Sequence, residues 1–269
     1  MNIYNKLTLL KNNLKKFKNI VISFSGGVDS TFLLKIAHDI LKENVLAITA
    51  KSSTFPKREL NEAISFTSKN KIQHIVFEFD ELNIEGFSNN PPNRCYLCKR
   101  ELFSKIITIA NQENICHIAD GSNFDDINDY RPGLIALNEL SILSPLKENK
   151  LTKEEIRILS KELNLPTWDK PAFSCLSTRF PYGQKITLDK LQMIEKAEEF
   201  LFSLGFTQIR VRHHGDIARI EVSPNERNIF FDLDLMDKTH HFFKSLGFNY
   251  ICLDLKGYRT GSMNDIIKF

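Results

Sequence analysis

The sequence predicts an α/β fold with a doubly wound parallel sheet, followed by a smaller C-terminal α+β domain. In the first part of the chain, short apolar runs alternate with helical patterns, which is typical of a parallel sheet covered by helices on both faces. After Pro171 the order changes to a long helix, a hairpin, a helix and a strand. We therefore expect two domains, residues 1–171 and 172–269.

The strands and helices of the first domain follow one another in chain order. The predicted strands are 20–24, 45–50, 72–79, 115–119 and a short fifth one at 141–143. The predicted helices are 30–43, 56–70 and 152–163. Pro56 suits a first helical turn, and Thr152-Lys-Glu-Glu155 is a capping box, so both mark helix starts.

The second domain combines helices and strands differently. Thr187 caps an amphipathic helix that runs to about Leu204. The alternating segments 206–213 and 216–222 flank Gly215 and predict a hairpin, and a helix at 237–246 and a strand at 249–255 follow.

Composition excludes several classes of protein. The chain has 269 residues, of which 42% are hydrophobic and 26% charged, so disorder and coiled coil are excluded. Its net charge of +3 is small, which argues against nucleic acid as the main partner. Neither an apolar run of roughly 18 residues nor a signal peptide is visible, so we expect a cytoplasmic protein with no membrane partner.

The string Ser25-Gly26-Gly27-Val28-Asp29-Ser30 joins a predicted strand to a predicted helix. Glycines allow the backbone to approach a ligand closely, and loop amides at a helix start bind anions. The string lacks the lysine of a Walker loop and does not match Gly-x-Gly-x-x-Gly. It therefore predicts a phosphate loop of a different kind.

This string resembles the pyrophosphate loop (PP-loop) of the N-type ATP pyrophosphatases, which cleave ATP between the α- and β-phosphates and adenylate a substrate oxygen. The resemblance implies a Rossmann-like sheet in residues 1–171 and a site for ATP with Mg²⁺. The residues that it implies around ATP are Ser25, Gly26, Gly27, Asp29 and Ser30 at the pyrophosphate, Thr49 and Ala50 beside the adenosine, and Gly121.

The five cysteines point away from a disulfide framework, because their number is odd and the compartment is expected to be reducing. Cys95 and Cys98 are predicted in a loop before a helix. Cys175 follows a proline-containing segment and lies near Arg179, a positive setting typical of a reactive thiol. Cys116 and Cys252 lie in strand-like runs and are expected to be buried structural thiols.

Cys95, Cys98 and Cys175 together suit a metal better than a thioredoxin-like redox pair. A 4Fe–4S cluster can be held by three thiolates with one iron left open, and we favour this interpretation. A structural zinc needs four ligands, and His117 is a candidate for the fourth. A chain without metal remains the other alternative.

Several longer motifs resemble one family, the ATP-dependent sulfur transferases that help to build the nickel-pincer nucleotide cofactor of lactate racemase. These motifs are residues 90–96, 119–123, 129–133, 167–171, 179–183, 210–216 and 261–264. The resemblance implies that both carboxylates of pyridinium-3,5-dicarboxylic acid mononucleotide are adenylated and then converted to thiocarboxylates. It also implies a homo-oligomer that receives sulfur from a sulfide donor, with residues 172–269 serving substrate binding and oligomerisation.

The family differs in its sulfur source. Some members sacrifice the sulfur of the cysteine that matches Cys175, whereas those that also carry Cys-x-x-Cys resemble cluster-dependent enzymes. Because this chain has all three thiols, we expect sulfur delivery through hydrosulfide bound to a 4Fe–4S cluster. Sacrificial donation from Cys175 and a tRNA thiolation enzyme of the same superfamily are the alternatives.

Arg210 and Arg212 are two residues apart on a predicted strand, so they share one face and suit a phosphate monoester. On the residues alone, a solvated strand face is the competing interpretation. The resemblance favours substrate binding by Thr178, Arg179, Arg210, Arg212 and Glu221. Glu198 is either near this site or on a helix surface, and His213 and His214 receive no role.

Overall fold

The computed structural model describes residues 2–128, 132–171 and 174–263. Residues 129–131 and Asn264, which belong to two of the sequence motifs, lie outside the described residues, as do residues 172–173. The chain divides into two compact units: unit 1 is Met1–Asp80 with Asn93–Phe173, and unit 2 is Glu81–Pro92 with Ser174–Phe269. Residues 81–92, which the predicted boundary assigned to the first domain, thus belong to unit 2.

The sheet of unit 1 is parallel throughout. Its strands are β1 (Ile20–Ser23), β2 (Val45–Lys51), β3 (Gln73–Glu78) and β4 (Ile118–Ala119), in the order β3-β2-β1-β4. β1 pairs with β2 and with β4, and β2 pairs with β3. The predicted α/β fold with a parallel sheet is confirmed.

Helices cover this sheet on both sides. They are α1 (Ile3–Leu14), α2 (Val28–Leu41), α3 (Lys57–Lys69), α4 (Arg94–Gln112), α5 (Gly133–Glu139), α6 (Pro145–Glu148) and α7 (Lys153–Glu162). Ile20 and Ile22 of β1 pack in a core with α1, α2 and α7, whereas Val21 packs in a second core with α4. This alternation places apolar side chains on both faces of the strand, as a sheet buried between two helical layers requires.

Several elements of unit 1 differ from the sequence-based expectation, and the short helices α5 and α6 are among those that were not anticipated. The predicted strand at 115–119 is reduced to β4, and the predicted strand at 141–143 is reduced to one bridge between Ala119 and Leu143. α1 was not anticipated; Asn2 caps it, and only Leu10 and Leu14 within it are fully buried. A helix with so few core positions has a weak periodic signal.

Unit 2 contains a mixed sheet and two long helices. Its elements are α8 (Leu188–Ser203), β5 (Ile209–His214), β6 (Ile217–Val222), α9 (Leu233–Ser245) and β7 (Tyr250–Leu253). β5 and β6 form the predicted hairpin, with Gly215 at φ +65° in the turn, and β7 pairs parallel to β6.

The two faces of the unit 2 sheet are chemically different. Ile209 and Val211 of β5 pack with α8 and α9 in an apolar core. Arg210 and Arg212 alternate with them and therefore project from the opposite face. Among the described residues no helix is long and apolar enough to cross a membrane.

Candidate functional site

The phosphate loop lies between the end of β1 and the start of α2. Gly26 has φ +66°, a conformation that side chains other than glycine rarely adopt, and Gly27 is the N-cap of α2. The hydroxyls of Ser25 and Ser30 are 3.1 Å apart, and the backbone N–H of Ser25 donates to Ser30 Oγ over 3.3 Å. The loop is therefore ordered around the first turn of α2, where backbone amides favour an anion.

Gly121, which follows β4, lies directly against this loop. A Cβ at position 121 would lie 3.0 Å from the backbone nitrogen of Ser30, a tighter contact than most Cβ atoms make, so glycine favours this approach. The two segments form the wall of an open cavity of about 540 Å³. Its lining consists of Ser23, Ser25, Gly27, Asp29, Ser30, Lys99, Leu102, Phe103, Asp120, Gly121, Ser122, Asn123, Asp125, Asp126 and Lys153.

Charged side chains of both signs line the cavity. Asp29 forms an ion pair with Lys153 of α7 and accepts a hydrogen bond of 3.3 Å from Asn123 Nδ2. Asp120 accepts hydrogen bonds from the hydroxyls of Ser122 (2.5 Å) and Ser144 (2.8 Å). These contacts fix the orientation of both carboxylates, at the carboxyl ends of strands where open α/β sheets bind ligands.

Five predicted ATP residues line this cavity: Ser25, Gly27, Asp29, Ser30 and Gly121. Gly26 shapes the loop without lining the cavity. Thr49 and Ala50 lie in β2 and do not line it either. The hydroxyl of Thr49 donates to the carbonyl of Phe24 over 2.6 Å and lies 2.8 Å from His74 Nε2, so their predicted contact with adenosine stays a prediction.

Three lysines of unit 1 lie at or near the cavity without having been predicted as site residues. Lys99 lies 3.4 Å from Asp120, Lys153 pairs with Asp29, and Lys170 reaches the phosphate loop at the carbonyl of Gly26 over 3.2 Å. Lysine is frequent throughout the chain, so composition gave no reason to single these out. The motif 167–171 and the capping box at 152–155 were the signals closest to them.

Two cysteine placements differ from the prediction. Cys95 and Cys98 lie within the first five residues of α4 rather than in a loop before it, so they are about one helical turn apart on the same side of the helix. Cys116 and Cys252 are exposed, which contradicts their expected burial. Cys116 precedes β4, and Cys252 points to solvent from the edge strand β7, so strand-like sequence did not imply burial.

Cys175 lies in unit 2, directly before the 3₁₀ turn Leu176–Arg179, and is exposed. The backbone carbonyl of Cys175 accepts hydrogen bonds from Thr178 Oγ1 (2.9 Å) and Arg179 Nη1 (3.2 Å). The same Nη1 also donates to the carbonyl and the hydroxyl of Ser174, both over 2.9 Å. Arg179 therefore fixes the backbone that presents the thiol.

Arg179 is itself fixed by Glu198 of α8. The two side chains form a bidentate pair of 2.8 and 2.9 Å, and Arg179 is fully buried. Burial acts to raise the pKa of Glu198, but the charge and hydrogen bonds of Arg179, with smaller contributions from the charge of Arg210 and the N–H of Val211, together lower the pKa. Glu198 is thus a buried partner of the segment 174–179, which we call the cysteine loop, and not a surface residue. The predicted substrate contact of Arg179 stays a prediction.

The exposed-face interpretation of Arg210 and Arg212 is wrong, because they are 1% and 4% exposed. Arg212 donates to Glu221 Oε2 over 2.7 Å and to the carbonyl of Thr178 over 3.0 Å. Glu221, fully buried, also accepts from Arg219 over 2.9 Å. Burial, and then the charge of Arg179, lower the pKa of Arg210 to about 10. This face of the sheet therefore concentrates positive charge beside two buried glutamates.

A metal site is not preformed in the part of the chain that the structure describes, since no group of three or more His, Cys, Asp or Glu side chains there could hold an ion. Cys95 and Cys98 belong to unit 1 and Cys175 to unit 2. None of the three is in a disulfide. The donors match a soft, thiolate-bound metal by their chemistry.

Comparisons with known proteins agree with this geometry. A family model described as NAD synthase matches residues 3–107, which include the phosphate loop. An uncharacterized protein of Synechocystis is 40% identical over 97% of this chain and 98% of its own length. An uncharacterized protein of Methanocaldococcus jannaschii is 36% identical, over 95% and 98% of the two chains.

A third relative has a described activity. The pyridinium-3,5-bisthiocarboxylic acid mononucleotide synthase of Lactiplantibacillus plantarum is 39% identical over 255 residues, which are 94% of this chain and 92% of that protein. The match therefore covers both the phosphate loop of unit 1 and the cysteine loop and buried arginines of unit 2. The chain belongs to the pyridinium-3,5-bisthiocarboxylic acid mononucleotide synthase family.

Proposed function

We propose that the protein is an ATP-dependent sulfurtransferase that converts the carboxylates of pyridinium-3,5-dicarboxylic acid mononucleotide into thiocarboxylates for nickel-pincer cofactor synthesis. The observation that carries this proposal is the nearly full-length similarity to the synthase of Lactiplantibacillus plantarum. A relative that shared only the ATP domain would support ATP use alone. This one spans the residues of both units.

The first step is activation of a carboxylate by ATP. A substrate carboxylate oxygen attacks the α-phosphorus, the bond from that phosphorus to the bridging oxygen breaks, and pyrophosphate leaves. The amides of the phosphate loop would hold the departing pyrophosphate. Lys99 and Lys153 line the same cavity and would add positive charge to its phosphates.

Mg²⁺ would accompany ATP in this cavity. The cation prefers oxygen ligands, and four carboxylates line the wall: Asp29, Asp120, Asp125 and Asp126. Asp29 is our candidate among them, because it belongs to the phosphate loop. Its pairing with Lys153 keeps its negative charge compensated until Mg²⁺ and ATP bind.

The second step replaces AMP by sulfur. A sulfur nucleophile attacks the carbonyl carbon of the acyl adenylate, the bond from that carbon to the phosphate oxygen breaks, and AMP leaves. The exposed position of Cys175, on a backbone held by Arg179, supports a role for its thiol in this step. Thr178 braces the same turn through its hydroxyl.

The phosphate of the substrate would bind at the buried arginines. Arg210 and Arg212 supply charge, and Glu221 orients Arg212 through the pair of 2.7 Å. Charge-assisted contacts from guanidinium groups suit a phosphate monoester dianion. Arg179 would contribute through its charge and by positioning the cysteine loop.

The sulfur source has two candidates. Cys95, Cys98 and Cys175 would hold a 4Fe–4S cluster, which when bound would present hydrosulfide from an external donor as the sulfur nucleophile, so that sulfur could be delivered over repeated turnovers. Cys95 and Cys98 lie about one helical turn apart on the same side of α4, so both thiols could bind one cluster. In the alternative, the Cys175 thiolate forms a thioester with the substrate. Loss of the Cα proton and cleavage of the Cβ–Sγ bond then release the thiocarboxylate and leave dehydroalanine.

The protein would act as a homo-oligomer that receives sulfide from a donor. Neither the size of the oligomer nor the identity of the donor enters the proposed chemistry.

The test uses the full chain, reconstituted with iron and sulfide in the absence of oxygen. It is incubated with ATP, Mg²⁺, excess sulfide and the dicarboxylated mononucleotide, and AMP, thiolated product and the mass of the chain are measured. AMP with several products per chain and intact Cys175 supports the cluster route. One product per chain with Cys175 converted to dehydroalanine supports the sacrificial route. ADP as the product, or the absence of any thiolated product, contradicts the proposed function.

A further inference from the structure

Lys170 has an unusual environment for a lysine of a connecting segment. Its side chain is only 10% exposed, and its ammonium lies 2.7 Å from Glu59 Oε2 and 2.6 Å from Glu62 Oε2, both on α3. The same ammonium donates to the backbone carbonyl of Gly26 over 3.2 Å. One cation therefore connects α3 to the phosphate loop.

The backbone around Lys170 is held by Arg157, which lies on α7. Arg157 Nη1 donates to the carbonyl of Trp168 and Nη2 to the carbonyl of Lys170, both over 2.7 Å. Lys153, one turn earlier on α7, pairs with Asp29 at the other end of the phosphate loop. Two connections thus run from α7 to the phosphate loop. Lys153 contacts Asp29 directly, and Arg157 holds the backbone of Lys170, which contacts Gly26.

The contact with Gly26 determines which way a peptide group of the loop points. In a trans peptide the C=O and the following N–H point in opposite directions. The Gly26 carbonyl that faces Lys170 therefore directs the N–H of Gly27 to the other side, and Gly27 lines the cavity. Gly26 is the residue of the loop with positive φ, so its flanking peptide has the conformational freedom to rotate.

Rotation of this peptide would harm anion binding. A carbonyl oxygen turned into the cavity would repel a phosphate, and an amide donor would be lost at the same time. A charge-assisted hydrogen bond from Lys170 opposes this rotation.

We propose that Lys170 and Arg157 are positioning residues that keep the Gly26–Gly27 peptide in its anion-binding orientation, and that they thereby set the affinity for the pyrophosphate part of ATP. The inference rests on the proposed use of ATP in this cavity. It assigns no contact of either side chain with ATP.

A purely structural tie between α3 and the segment after α7 is the competing explanation. The two explanations differ in their ligand dependence. A positioned peptide affects ligands with phosphates and leaves adenosine unaffected, whereas a general loosening of the unit affects both.

The test measures the affinity of the full chain for magnesium pyrophosphate and for adenosine by calorimetry, and the melting temperature of each variant. The variants are Arg157→Leu, Lys170→Arg and the double variant Lys170→Met with Glu59→Gln. The double change removes a cation and a carboxylate together, because Glu59 is 2% exposed and would otherwise remain without its lysine. Lys161→Met is the matched control, since Lys161 lies on α7 and contacts the Trp168 ring at 4.6 Å without reaching the phosphate loop.

Arg157→Leu and the double variant should each bind pyrophosphate about tenfold more weakly or worse, with adenosine affinity changed less than about twofold. Lys170→Arg keeps the charge and should lose less, and Lys161→Met should match the unmodified protein. Unchanged pyrophosphate affinity in folded Arg157→Leu, or equal weakening of both ligands, would overturn the inference while the proposed function stands. Absence of pyrophosphate binding by the unmodified protein would overturn both.

Discussion

The proposed anion site of unit 1 would take its positive charge from backbone amides and from Lys99 and Lys153, whose side chains are 34% and 31% exposed. In unit 2 the charge comes from Arg179, Arg210 and Arg212, which are 0%, 1% and 4% exposed. The lysines pair with carboxylates across an open cavity. The arginines, in contrast, are enclosed with Glu198 and Glu221, which are 4% and 0% exposed.

This difference separates binding from stability. A partly exposed ion pair contributes about 0–1 kcal/mol to folding, so the lysines of unit 1 can exchange their carboxylate partners for a bound ligand at little cost in stability. A buried ion pair that loses one member leaves a charge without compensation, which costs several kcal/mol. We therefore expect substitutions in the unit 1 site to lower activity, and those in the unit 2 cluster to lower activity and stability together.

The largest effect on stability is expected for Glu198→Ala. It removes the bidentate partner of Arg179 and a negative charge near Arg210. The free energy of unfolding should fall by about 3–5 kcal/mol, measured by urea denaturation at pH 7. Because Arg179 holds the Cys175 carbonyl, the rate at which the Cys175 thiol reacts with an alkylating reagent should also change relative to the unmodified chain.

Glu199→Ala is the control for this change. Glu199 is the next residue on α8 and is exposed. It should change the unfolding free energy by less than about 0.5 kcal/mol. Equal losses in the two variants would mean that the buried pair adds nothing, and the contrast between the units would disappear.

Asp29→Ala should show the opposite behaviour. It removes the carboxylate that pairs with Lys153 and is our candidate for Mg²⁺, so AMP release should fall roughly 100-fold or more. The free energy of unfolding should change by only about 1 kcal/mol, because the pair is partly exposed. A stable but inactive variant supports the view that the charges of unit 1 serve binding and not stability. An unfolded variant contradicts it.

Substitution of the buried arginines tests whether they bind as well as stabilise. Arg210→Ala and Arg212→Ala should each raise the KM for the mononucleotide, since a charge-assisted contact contributes about 1.5–3 kcal/mol. ATP affinity should stay within about twofold. Arg212→Ala should in addition destabilise unit 2, because Glu221 would keep only Arg219 and the Ser262 hydroxyl. Equal weakening of ATP and substrate would place the arginines in a different role.

Local patterns in the sequence predicted most of the fold. The capping box at Thr152 forms as expected, with Glu155 reaching back to the Thr152 backbone, and Gly215 makes the expected turn. Both signals depend on residues close in sequence. By contrast, residues 81–92 belong to unit 2 through contacts with distant residues, such as the Ile186 N–H with the carbonyl of Ser88 over 2.8 Å. The periodicity of the sequence does not predict a contact between residues so far apart in the chain.

The candidate site was predictable to the same extent. The phosphate loop was predicted because glycines at a strand–helix junction carry a physical meaning by themselves, whereas Gly121 came from the family resemblance. Lys170 and Arg157 were not, because their roles depend on carbonyls that only the folded backbone brings together. The burial of Arg210 and Arg212 was missed for a related reason: alternation marks a strand face but does not tell what covers it.

Acid should weaken both units over one pH range. Burial lowers the pKa of His74 in unit 1 to about 4, and burial followed by the charge of Lys190 lowers that of His213 in unit 2 to about 4. Between pH 6.5, the ordinary value, and about 4, the unfolded chain binds protons that the folded chain does not. Stability should therefore fall across this range, by roughly 1–2 kcal/mol per histidine.

Urea denaturation at several pH values checks this. The range from pH 6.5 to about 5.5 is dominated by the histidines, because Glu198, whose pKa is lowered in the folded chain, loses stabilisation only as the pH approaches the ordinary glutamate value of 4.5. His74→Gln should reduce the pH dependence while that of unit 2 persists. A flat unfolding free energy over this range would contradict the burial of both rings as neutral groups.

The smallest effect is expected for the double variant Cys116→Ser with Cys252→Ser, which separates the exposed thiols from those of the proposed chemistry. Both residues are exposed, one in each unit, so serine adds no buried hydroxyl. The free energy of unfolding should change by less than about 0.5 kcal/mol, and product formation should be retained. Thiol titration of the unfolded variant should count only Cys95, Cys98 and Cys175, which allows iron, sulfide and dehydroalanine to be assigned to them. A loss of several kcal/mol would restore the structural role that the strand-like sequence suggested, and loss of product with stability intact would bring a fourth thiol into the chemistry.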